Sequence, residues 1–546
     1  MKMSFKKIVF SLVMMSLVFL SACTGNETST DLSKDKAVAG SSTNGNKVIS
    51  VGVMNSFGSM NPINTRDALA RRVVGLFFEP LFDVNENMEF IPKLAESFET
   101  DDNQTFTIKL DSNANWTDGV PVSSEDVLFT MNLMANPEVQ SRGLAPLNII
   151  DGLDDNGQLP DGEESIKGIE IIDNKTFTIH TKQPVDPNYL KENFGYFIQF
   201  IPKHVLKDVN PAELHQHPFM EKPDVTNGPF KFVKLSPDSY LELHANPEYY
   251  RGAPKITKLF FKVMPSANLV AQLQTGEIQM NFPGVGNIAI QDYEKVKNMA
   301  NVRTIQGKPF NYQMMYFNTE SINHPEVRRA IVYAINRPLI VENLLKGEGG
   351  IVDGPFTSAH PYFNEKIENY EYNPEKAKQI LEESGWDFNK PINLAVPIGN
   401  QTREQAAAII TENLSSIGLK VQINKYDLPT LLDKGAKQEF DLLMLGIPLQ
   451  IDPGTNLGLF YEKNATYNYA PYDSSKMNDL LKKGRMEPDP EKRKAIYDQA
   501  QLLLHDDLPT ITLYEDQPIK VVSKNVKVGE PKEYGMFYNV NEWDIE

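Results

Sequence analysis

The sequence predicts an α/β protein with more than one domain, and three observations support this class. Segments with alternating apolar and polar residues, typical of half-buried strands, are interspersed with segments that carry helix-capping residues and apolar positions at helical spacing. The chain of 546 residues is long enough for two or three domains. Hydrophobic residues make up 41% and charged residues 23%, which is typical of a globular chain with a large core.

The N-terminus predicts export followed by lipid attachment. Three lysines among the first seven residues precede an apolar run, Ile8 to Leu20, which is short for a bilayer span but suits a secretory signal. The segment Leu20 to Cys23 then resembles the bacterial lipobox, and Cys23 is the only cysteine of the chain. The resemblance implies that a signal peptide, residues 1–22, is removed and that Cys23 carries the lipid. The alternative is an ordinary signal peptide with an incidental cysteine.

The next segment, residues 23–46, is predicted to be a flexible tether. It is rich in Ser, Thr, Gly, Asn, Asp and Lys, and it has too little apolar surface to fold. The ordered part should begin near Lys47. A formal net charge of −18 disfavours nucleic acid and anionic lipid surfaces as partners. With a single cysteine, the fold must be stabilised by its core rather than by disulfides.

Strand signals open the ordered part. Val48 to Met54 alternates as a strand does, and Thr105 to Leu110 alternates between polar and apolar residues after a turn at Asp102-Asn103. A similar turn and strand follow at Asp173 to Thr181, so we expect this segment to be a neighbour in the same sheet.

Helix signals follow and are equally local. Ser123 or Ser124 can cap a helix that has two carboxylates in its first turn. His324 to Arg337 has apolar residues at helical spacing, which predicts a helix with one buried face. Asn373 and Gly385 mark the beginning and the end of a further helix.

The stretch Ala95 to Asn132 resembles the signature region of the peptide-type solute-binding proteins of ABC importers. The resemblance continues in family order through nearly all of Lys47 to Glu546. Its further motifs are NGPFKFVK (Asn227–Lys234), NPEYYRGAPKI (Asn246–Ile256), LQTGEI (Leu273–Ile278), YFNTESINHPEVRRAIVYAINR (Tyr316–Arg337), YNPEKAKQILEESGW (Tyr372–Trp386) and DDLPTITLY (Asp506–Tyr514). These motifs are mostly scaffold signals, so they identify the family without locating the ligand.

This resemblance implies a two-lobed, periplasmic-binding-protein-like fold of type II, with the ligand cleft between the lobes. Lobe one would contain residues 47–90, 225–306 and 518–546. Residues 91–224 would form an extra subdomain of lobe one, and residues 307–517 would form lobe two. The chain would then cross between the lobes twice, which suits a hinge of two strands.

The sequence contains no catalytic or metal-binding motif of a familiar kind. His215 and His217 form the only close histidine pair, no carboxylate or cysteine completes a ligand set, and a solvated loop is favoured. The acidic segment Asp151 to Ser165 is similar to calcium loops, but Gly152 would occupy the first ligand position of an EF-hand register, so a surface turn is favoured. We therefore expect no enzyme activity, no cofactor and no metal.

The resemblance places the ligand contacts in two segments. In lobe one, Ala68, Leu69, Ala70 and Arg71 align with the peptide-pairing segment of relatives. In lobe two, Leu449 stands where short-peptide members carry an aspartate that binds the α-ammonium group of the ligand. Since leucine cannot pair with an ammonium group, this departure disfavours a fixed N-terminus. It suits longer peptides or ligands without a free amine.

Four further residues near Leu449 are candidates for the cleft. Asp452 could substitute for the missing carboxylate, or it could simply form an Asp-Pro turn. Tyr467, Asn468 and Tyr472 could stack on a peptide or donate hydrogen bonds to its backbone, or they could belong to a loop packed on lobe two.

We therefore predict a monomeric, lipid-anchored binding protein on the outer face of a cell membrane, of Gram-positive type, that captures oligopeptides for the permease of an ABC importer. Alternatives among relatives are binders of oligosaccharides, nickel complexes, haem or opines, and receptors for signalling peptides. Sugar binders favour tryptophan platforms. Of the three tryptophans, Trp116 and Trp386 lie in scaffold motifs and Trp543 does not, which disfavours a sugar ligand. His360 could serve a nickel or haem ligand.

Overall fold

The computed structural model describes residues 47–65, 68–139, 141–448, 450–463 and 465–546. The predicted signal peptide, Cys23, the predicted tether and Leu449 lie outside the described residues. Within the described ranges, no helix combines the length and apolarity that crossing a bilayer requires.

The described residues contain two large mixed sheets, one in each lobe. The sheet of the first lobe has seven strands in the spatial order Val302–Gln306, Ile519–Ser523, Met280–Asn281, Val48–Val53, Lys258–Val263, Tyr240–Ala245 and Phe230–Ser236. The sheet of the second lobe has six, in the order Gly349–Gly350, Thr510–Asp516, Asn311–Phe317, Leu442–Pro448, Pro391–Pro397 and Lys420–Tyr426. Each sheet combines parallel and antiparallel pairs, so the predicted α/β, two-lobed fold class is confirmed.

A third sheet and two small hairpins complete the strands in the described part of the chain. The third sheet has the order Ala95–Glu99, Thr105–Leu110, Thr176–His180 and Ile169–Ile171, with antiparallel neighbours throughout. The two-stranded pairs are Phe82–Val84 with Phe90–Pro92 and Val526–Val528 with Asp544–Ile545. The predicted pairing of the 173–181 segment with the strand Thr105–Leu110 is therefore confirmed.

Helices pack against these sheets. In the described ranges the α-helices are Ala68–Val74, Ser124–Ala135, Pro187–Leu190, Lys203–Leu206, Pro218–Glu221, Ser266–Thr275, Tyr293–Lys297, Pro325–Ala334, Arg337–Leu339, Pro374–Glu383, Gln401–Ser416, Leu428–Ala436, Pro453–Tyr461, Ser475–Met486 and Pro490–Asp507. Short 3-10 or π-helical turns lie at Ala145–Leu147, Lys191–Tyr196, Pro211–Gln216, Ile290–Asp292, Ile340–Leu344 and Val540–Glu542.

The helix boundaries follow from local chemistry. Asn373 precedes Pro374–Glu383, and its side chain accepts a hydrogen bond from the Lys376 amide at 2.9 Å. Gly385 follows that helix with a φ of +69°, a conformation that glycine adopts without strain. At the other predicted cap, the Ser123 amide donates to Asp126 Oδ2 at 2.8 Å. These predicted caps are confirmed.

The chain passes between the two large sheets at two places. It leaves the first lobe after Gln306 and enters the second at Asn311, and it returns between Asp516 and Ile519. Phe310, in the first crossing, packs edge-on against Tyr534 of the first lobe with ring centres 4.7 Å apart. Both residues belong to an apolar cluster that includes residues of both lobes.

Candidate functional site

A cavity is lined mostly by residues of the first lobe and includes one residue of the second lobe. Arg71, Arg72 and the segment 533–537 of the first lobe form much of its wall. Residues between 192 and 199 form another side. Gln450, directly after the strand Leu442–Pro448, contributes from the second lobe. We call this space the interlobe cavity.

Arginines concentrate positive charge at one side of the interlobe cavity. The Arg71 guanidinium lies 5.4 Å from the centre of the Phe197 ring, and that of Arg72 lies 5.6 Å from the centre of the Phe282 ring. Arg142 donates from Nη2 to the Phe197 carbonyl oxygen. Burial, together with repulsion from Arg71, lowers the pKa of Arg142 to about 9.

Glu79 is a buried carboxylate in the cavity wall, and its own lobe satisfies it. Tyr249 and Tyr250 donate their hydroxyls to it at 2.5 and 2.8 Å. Lys93 Nζ lies 3.7 Å from Glu79 and 4.0 Å from Asp83. Burial raises the pKa of the Glu79 carboxyl, and Lys93 opposes that rise. This group therefore has a cation and two hydroxyl donors within the first lobe.

Glu192 is the cavity carboxylate that connects the two lobes. It is fully buried on the π-helical turn Lys191–Tyr196. Its two oxygens accept hydrogen bonds from the amides of Ile451 and Asp452 in the second lobe, at 2.7 and 2.9 Å. Burial, together with the nearby charge of Asp452, raises the pKa of Glu192 to about 8.

Asp452, a predicted ligand contact, is engaged inside the second lobe. Its side chain caps the helix Pro453–Tyr461 by accepting from the Thr455 amide at 2.9 Å. Arg493 donates from Nη2 to its other oxygen at 2.6 Å. The carboxylate is only 2% exposed. Its charge is already paired with Arg493 before any ligand arrives.

The three other predicted residues of this region also contact the second lobe. Asn468 donates to the Tyr472 carbonyl at 2.7 Å, and the Tyr472 hydroxyl donates to Asp507 at 2.6 Å. The Tyr467 ring is 37% exposed and lies 5.8 Å from the Phe460 ring. These three residues do not line the interlobe cavity as the described residues define it. Their role in ligand binding stays a prediction.

The predicted segment of the first lobe lies closer to the cavity. Ala68 begins the helix Ala68–Val74, Leu69 and Ala70 are buried in the core, and Arg71 lines the cavity. Leu449 lies outside the described residues, whereas the next residue, Gln450, lines the cavity. The fold thus brings Arg71 and the segment after Leu442–Pro448 to one space.

Sequence reasoning missed several cavity residues. Glu79, Glu192, Glu533 and Tyr534 line the space, yet none of them stands in a motif that indicates binding. Glu192 lies 259 residues from Ile451, its hydrogen-bond partner, and no local pattern could have predicted that contact. Arg72, next to a predicted residue, is the one neighbour that the aligned segment could have indicated.

His360, the residue considered for a nickel or haem ligand, contacts backbone groups of the protein itself. His360 Nε2 lies 3.1 Å from the carbonyl oxygens of Gln450 and Ile451, and its Nδ1 accepts from the Tyr362 amide. Burial lowers the pKa of His360 to about 4. Among the described residues, no group of three or more His, Cys, Asp or Glu side chains is arranged to hold a metal ion.

The tryptophans form no sugar-binding platform in this cavity. Trp116 and Trp543 are buried in the core, and Trp386 lies in the second lobe with Lys390 Nζ 5.2 Å from its ring centre. None of the three lines the interlobe cavity formed by the described residues.

Comparison with known proteins is consistent with this geometry. Residues 89–468 match the model of the bacterial extracellular solute-binding proteins, family 5. The chain is 26% identical over 558 residues to the oligopeptide-binding protein AppA of Bacillus subtilis, covering 98% of both chains. The structure of that AppA in complex with a nonapeptide has a TM-score of 0.79 at 23% identity, with 91% of this chain and 99% of that one covered. Lactococcal OppA, complexed with an endogenous peptide in the closed conformation, has a TM-score of 0.80 at 22% identity, with coverage of 91% and 100%.

Proposed function

Because the chain belongs to the bacterial extracellular solute-binding proteins of family 5, we propose that it captures oligopeptides in the interlobe cavity and delivers them to an ABC importer. As a member of this family the chain is a binding protein rather than an enzyme. The observation that carries the proposal is the interlobe cavity, which residues of the first lobe line together with Gln450 of the second. A space of this kind can enclose a ligand when the lobes close.

Oligopeptides are the ligand class that this cavity suits best. An extended peptide exposes one N–H and one C=O per residue, and each needs a partner in a closed site. The interlobe cavity offers carboxylates, arginines and glutamines as partners, together with aromatic walls at Tyr196, Phe197 and Tyr534. Among the relatives named above, the oligopeptide-binding AppA supports the same ligand class.

The lobe boundaries are part of the proposal. We assign residues 47–90, 225–306 and 518–546 to lobe one, residues 91–224 to its extra subdomain and residues 307–517 to lobe two. The strands of the seven-stranded sheet fall within the first set and those of the six-stranded sheet within the last. The two crossings, near residues 307–310 and 517–518, would then form the hinge.

The anchor and the contact residues complete the proposal. We propose that Cys23 carries a lipid that holds a monomeric chain on the outside of a Gram-positive cell membrane. The lipobox-like sequence supports this anchor. We also propose that the segment Ala68 to Arg71 contacts the peptide, because Arg71 lines the cavity. The proposed contacts on the second lobe are Leu449, Asp452, Tyr467, Asn468 and Tyr472.

Mass spectrometry of ligands extracted from the purified full-length protein tests the function. We expect a mixture of oligopeptides, and we expect a synthetic nonapeptide to bind in calorimetry whereas a maltohexaose control does not. Recovery of an oligosaccharide, haem or a nickel complex in stoichiometric amount, with no peptide binding, would show that the ligand class is wrong.

A further inference from the structure

Glu192 has no cationic partner among the described residues, although it is fully buried. Its described hydrogen bonds come from the backbone amides of Ile451 and Asp452 and from the side chain of Thr455. The other buried acids of this region have cations: Lys93 lies 3.7 Å from Glu79, and Lys520 lies 3.1 Å from Glu533. A buried carboxylate without a cation is costly when ionised, so Glu192 differs from its neighbours in the wall.

The groups that face Glu192 do not balance its charge. Asp452 is the nearest acid, and its partner Arg493, at 2.6 Å, also lies 3.6 Å from Asp186, so one guanidinium serves two acids. The hydroxyls of Tyr189, Tyr196 and Tyr534 also lie within electrostatic range of Glu192. The charge of Arg72 lowers the pKa of Tyr196 and of Tyr534. No described interaction links Arg72 to Glu192. Burial, followed by the Asp452 charge, raises the pKa of Glu192 to about 8.

Two further acceptors line the same cavity without a hydrogen bond from the described residues. They are Oε1 of Gln199 and Oε1 of Glu533, on side chains that are 5% and 7% exposed. Buried acceptors of this kind usually receive a hydrogen bond in a native complex. Together with Glu192, they give the cavity acceptor oxygens for a group that carries several N–H donors.

We propose that Glu192 is a specificity-determining residue that receives an ammonium group of the ligand in the interlobe cavity. This inference rests on the proposed function. The ammonium group can be the α-ammonium group of the peptide or that of a lysine side chain. The charge pair forms in a space with little water, where such a pair requires good geometry and further hydrogen bonds. The amides of Ile451 and Asp452 supply those bonds, since they hold the carboxylate in place.

Binding then displaces a proton. Below pH 8 the ligand-free Glu192 is mainly in its protonated form. A cation at hydrogen-bond distance favours the ionised form, so the carboxyl proton passes to the solvent while the ligand nitrogen keeps its three protons. At pH 6 an α-ammonium group is already fully protonated and contributes no proton of its own.

Three nonapeptides test the proposal by calorimetry on the full-length protein. All lack His and Arg: the first has a free N-terminus and no lysine, the second is its N-acetylated form, and the third is N-acetylated with one central lysine. We expect the first or the third to bind on the order of a hundredfold more tightly than the second. Tight binding of the first peptide identifies the α-ammonium group as the recognised group, and tight binding of the third identifies the lysine side chain.

Proton release is the second measurement. Titrations at pH 6 in buffers with different ionisation enthalpies should show close to one proton released with the ammonium-bearing peptide and close to none with the neutral one. A structural role of Glu192 would affect the three peptides equally and would produce no such difference. This measurement uses the unaltered protein, so it does not depend on the folding of a variant.

Glu192→Gln provides the matched substitution. We expect it to reduce the preference for the ammonium-bearing peptide to less than about threefold. Glu515→Gln serves as the control. Glu515 is a buried carboxylate of the second lobe that accepts from the Ser358 amide and hydroxyl at 2.8 and 2.6 Å, and it is not among the described residues that line the cavity, so we expect the preference to persist.

Equal affinities for the three peptides, absent proton release, or a preference that survives Glu192→Gln would each overturn the proposal. These results differ from a failure of the proposed function, in which none of the three peptides binds.

Discussion

Arg337 shows how a residue of a scaffold motif takes part in the core. Its side chain is 1% exposed and pairs with Asp353 through two contacts, one of them at 3.1 Å. It also donates to the carbonyl oxygens of Tyr370 and Thr512 at 2.7 and 3.2 Å. The guanidinium thus connects three segments of the second lobe, and removal of one partner would leave the Asp353 charge buried and unpaired.

Arg337→Ala should therefore lower the free energy of unfolding by about 3–5 kcal/mol, the cost of breaking a buried charge pair. Urea denaturation measures the effect. Arg329→Ala is the control, because Arg329 pairs with Glu326 at 2.7 Å on the more exposed side of the preceding helix and should contribute less than about 1 kcal/mol. Equal losses for the two variants would contradict the assignment.

Glu192 makes stability depend on pH. Its folded-state pKa, about 8, lies above the ordinary value of 4.5, so the folded chain binds a proton that the unfolded chain releases between these two values. The contribution of this group to folding is therefore greatest below pH 4.5, and it is lost as the pH rises through 8. Other buried carboxyls with raised pKa, such as Asp516 at about 6, act in the same direction.

Comparison with Glu192→Gln isolates the contribution of this residue. The quantity to compare is the free energy of unfolding of the ligand-free protein minus that of the ligand-free variant. This difference should fall by on the order of a few kcal/mol between pH 5 and pH 8. Chemical denaturation at a series of pH values measures it. A difference that is flat over this range, or one that rises with pH, would refute the prediction.

At the scale of elements, the segment Pro187–Tyr196 belongs to the proposed extra subdomain and contacts the second lobe. Asn193 donates to the Thr455 hydroxyl at 2.8 Å, and the Asp186 amide donates to the Arg485 carbonyl at 2.8 Å. With the two bonds to Glu192, these contacts place the segment over the start of the helix Pro453–Tyr461. If the lobes open around a hinge, this interface must separate.

Thr455→Val and Asn193→Ala should each weaken the closed form and lower peptide affinity by about three- to tenfold, the value of one hydrogen bond. A double-mutant cycle on affinity should return a coupling of about 0.5–1.5 kcal/mol. Thr411→Val is the control, since the Thr411 hydroxyl donates at 2.9 Å to Ala407 within its own helix. Zero coupling would mean that the contact persists in the open form.

At the scale of the whole molecule, the two crossings let one chain build two lobes around one cavity. After the second crossing, the strand Ile519–Ser523 lies in the first sheet between Val302–Gln306 and Met280–Asn281. The two crossings therefore lie side by side, and few backbone torsions need to change for the lobes to move.

Cys23→Ala should release the protein from the cell membrane into the soluble fraction, because the proposed lipid is its attachment. Immunoblotting of fractionated cells measures the distribution, and Ser33→Ala in the predicted tether is the control that should stay membrane-bound. Unchanged membrane retention of the Cys23 variant would argue against the lipid anchor.

The sequence by itself determined the family, the fold class and the local elements. The cap at Asn373 and the strand Thr105–Leu110 depend on residues within a few positions of each other, so their chemistry is readable along the chain. The binding class followed from motifs in family order and was confirmed by the family match.

The tertiary structure alone decided which side chains share the cavity and which charges lack partners. Asp452 has a carboxylate that could pair with a ligand, yet folding placed Arg493 at 2.6 Å from it. Glu192 stood in no motif, yet folding buried it against Ile451, 259 residues away, and none of the described residues supplies a cation to it. The cost of a buried charge depends on solvent exclusion and on distant partners, and both exist only after the chain has folded.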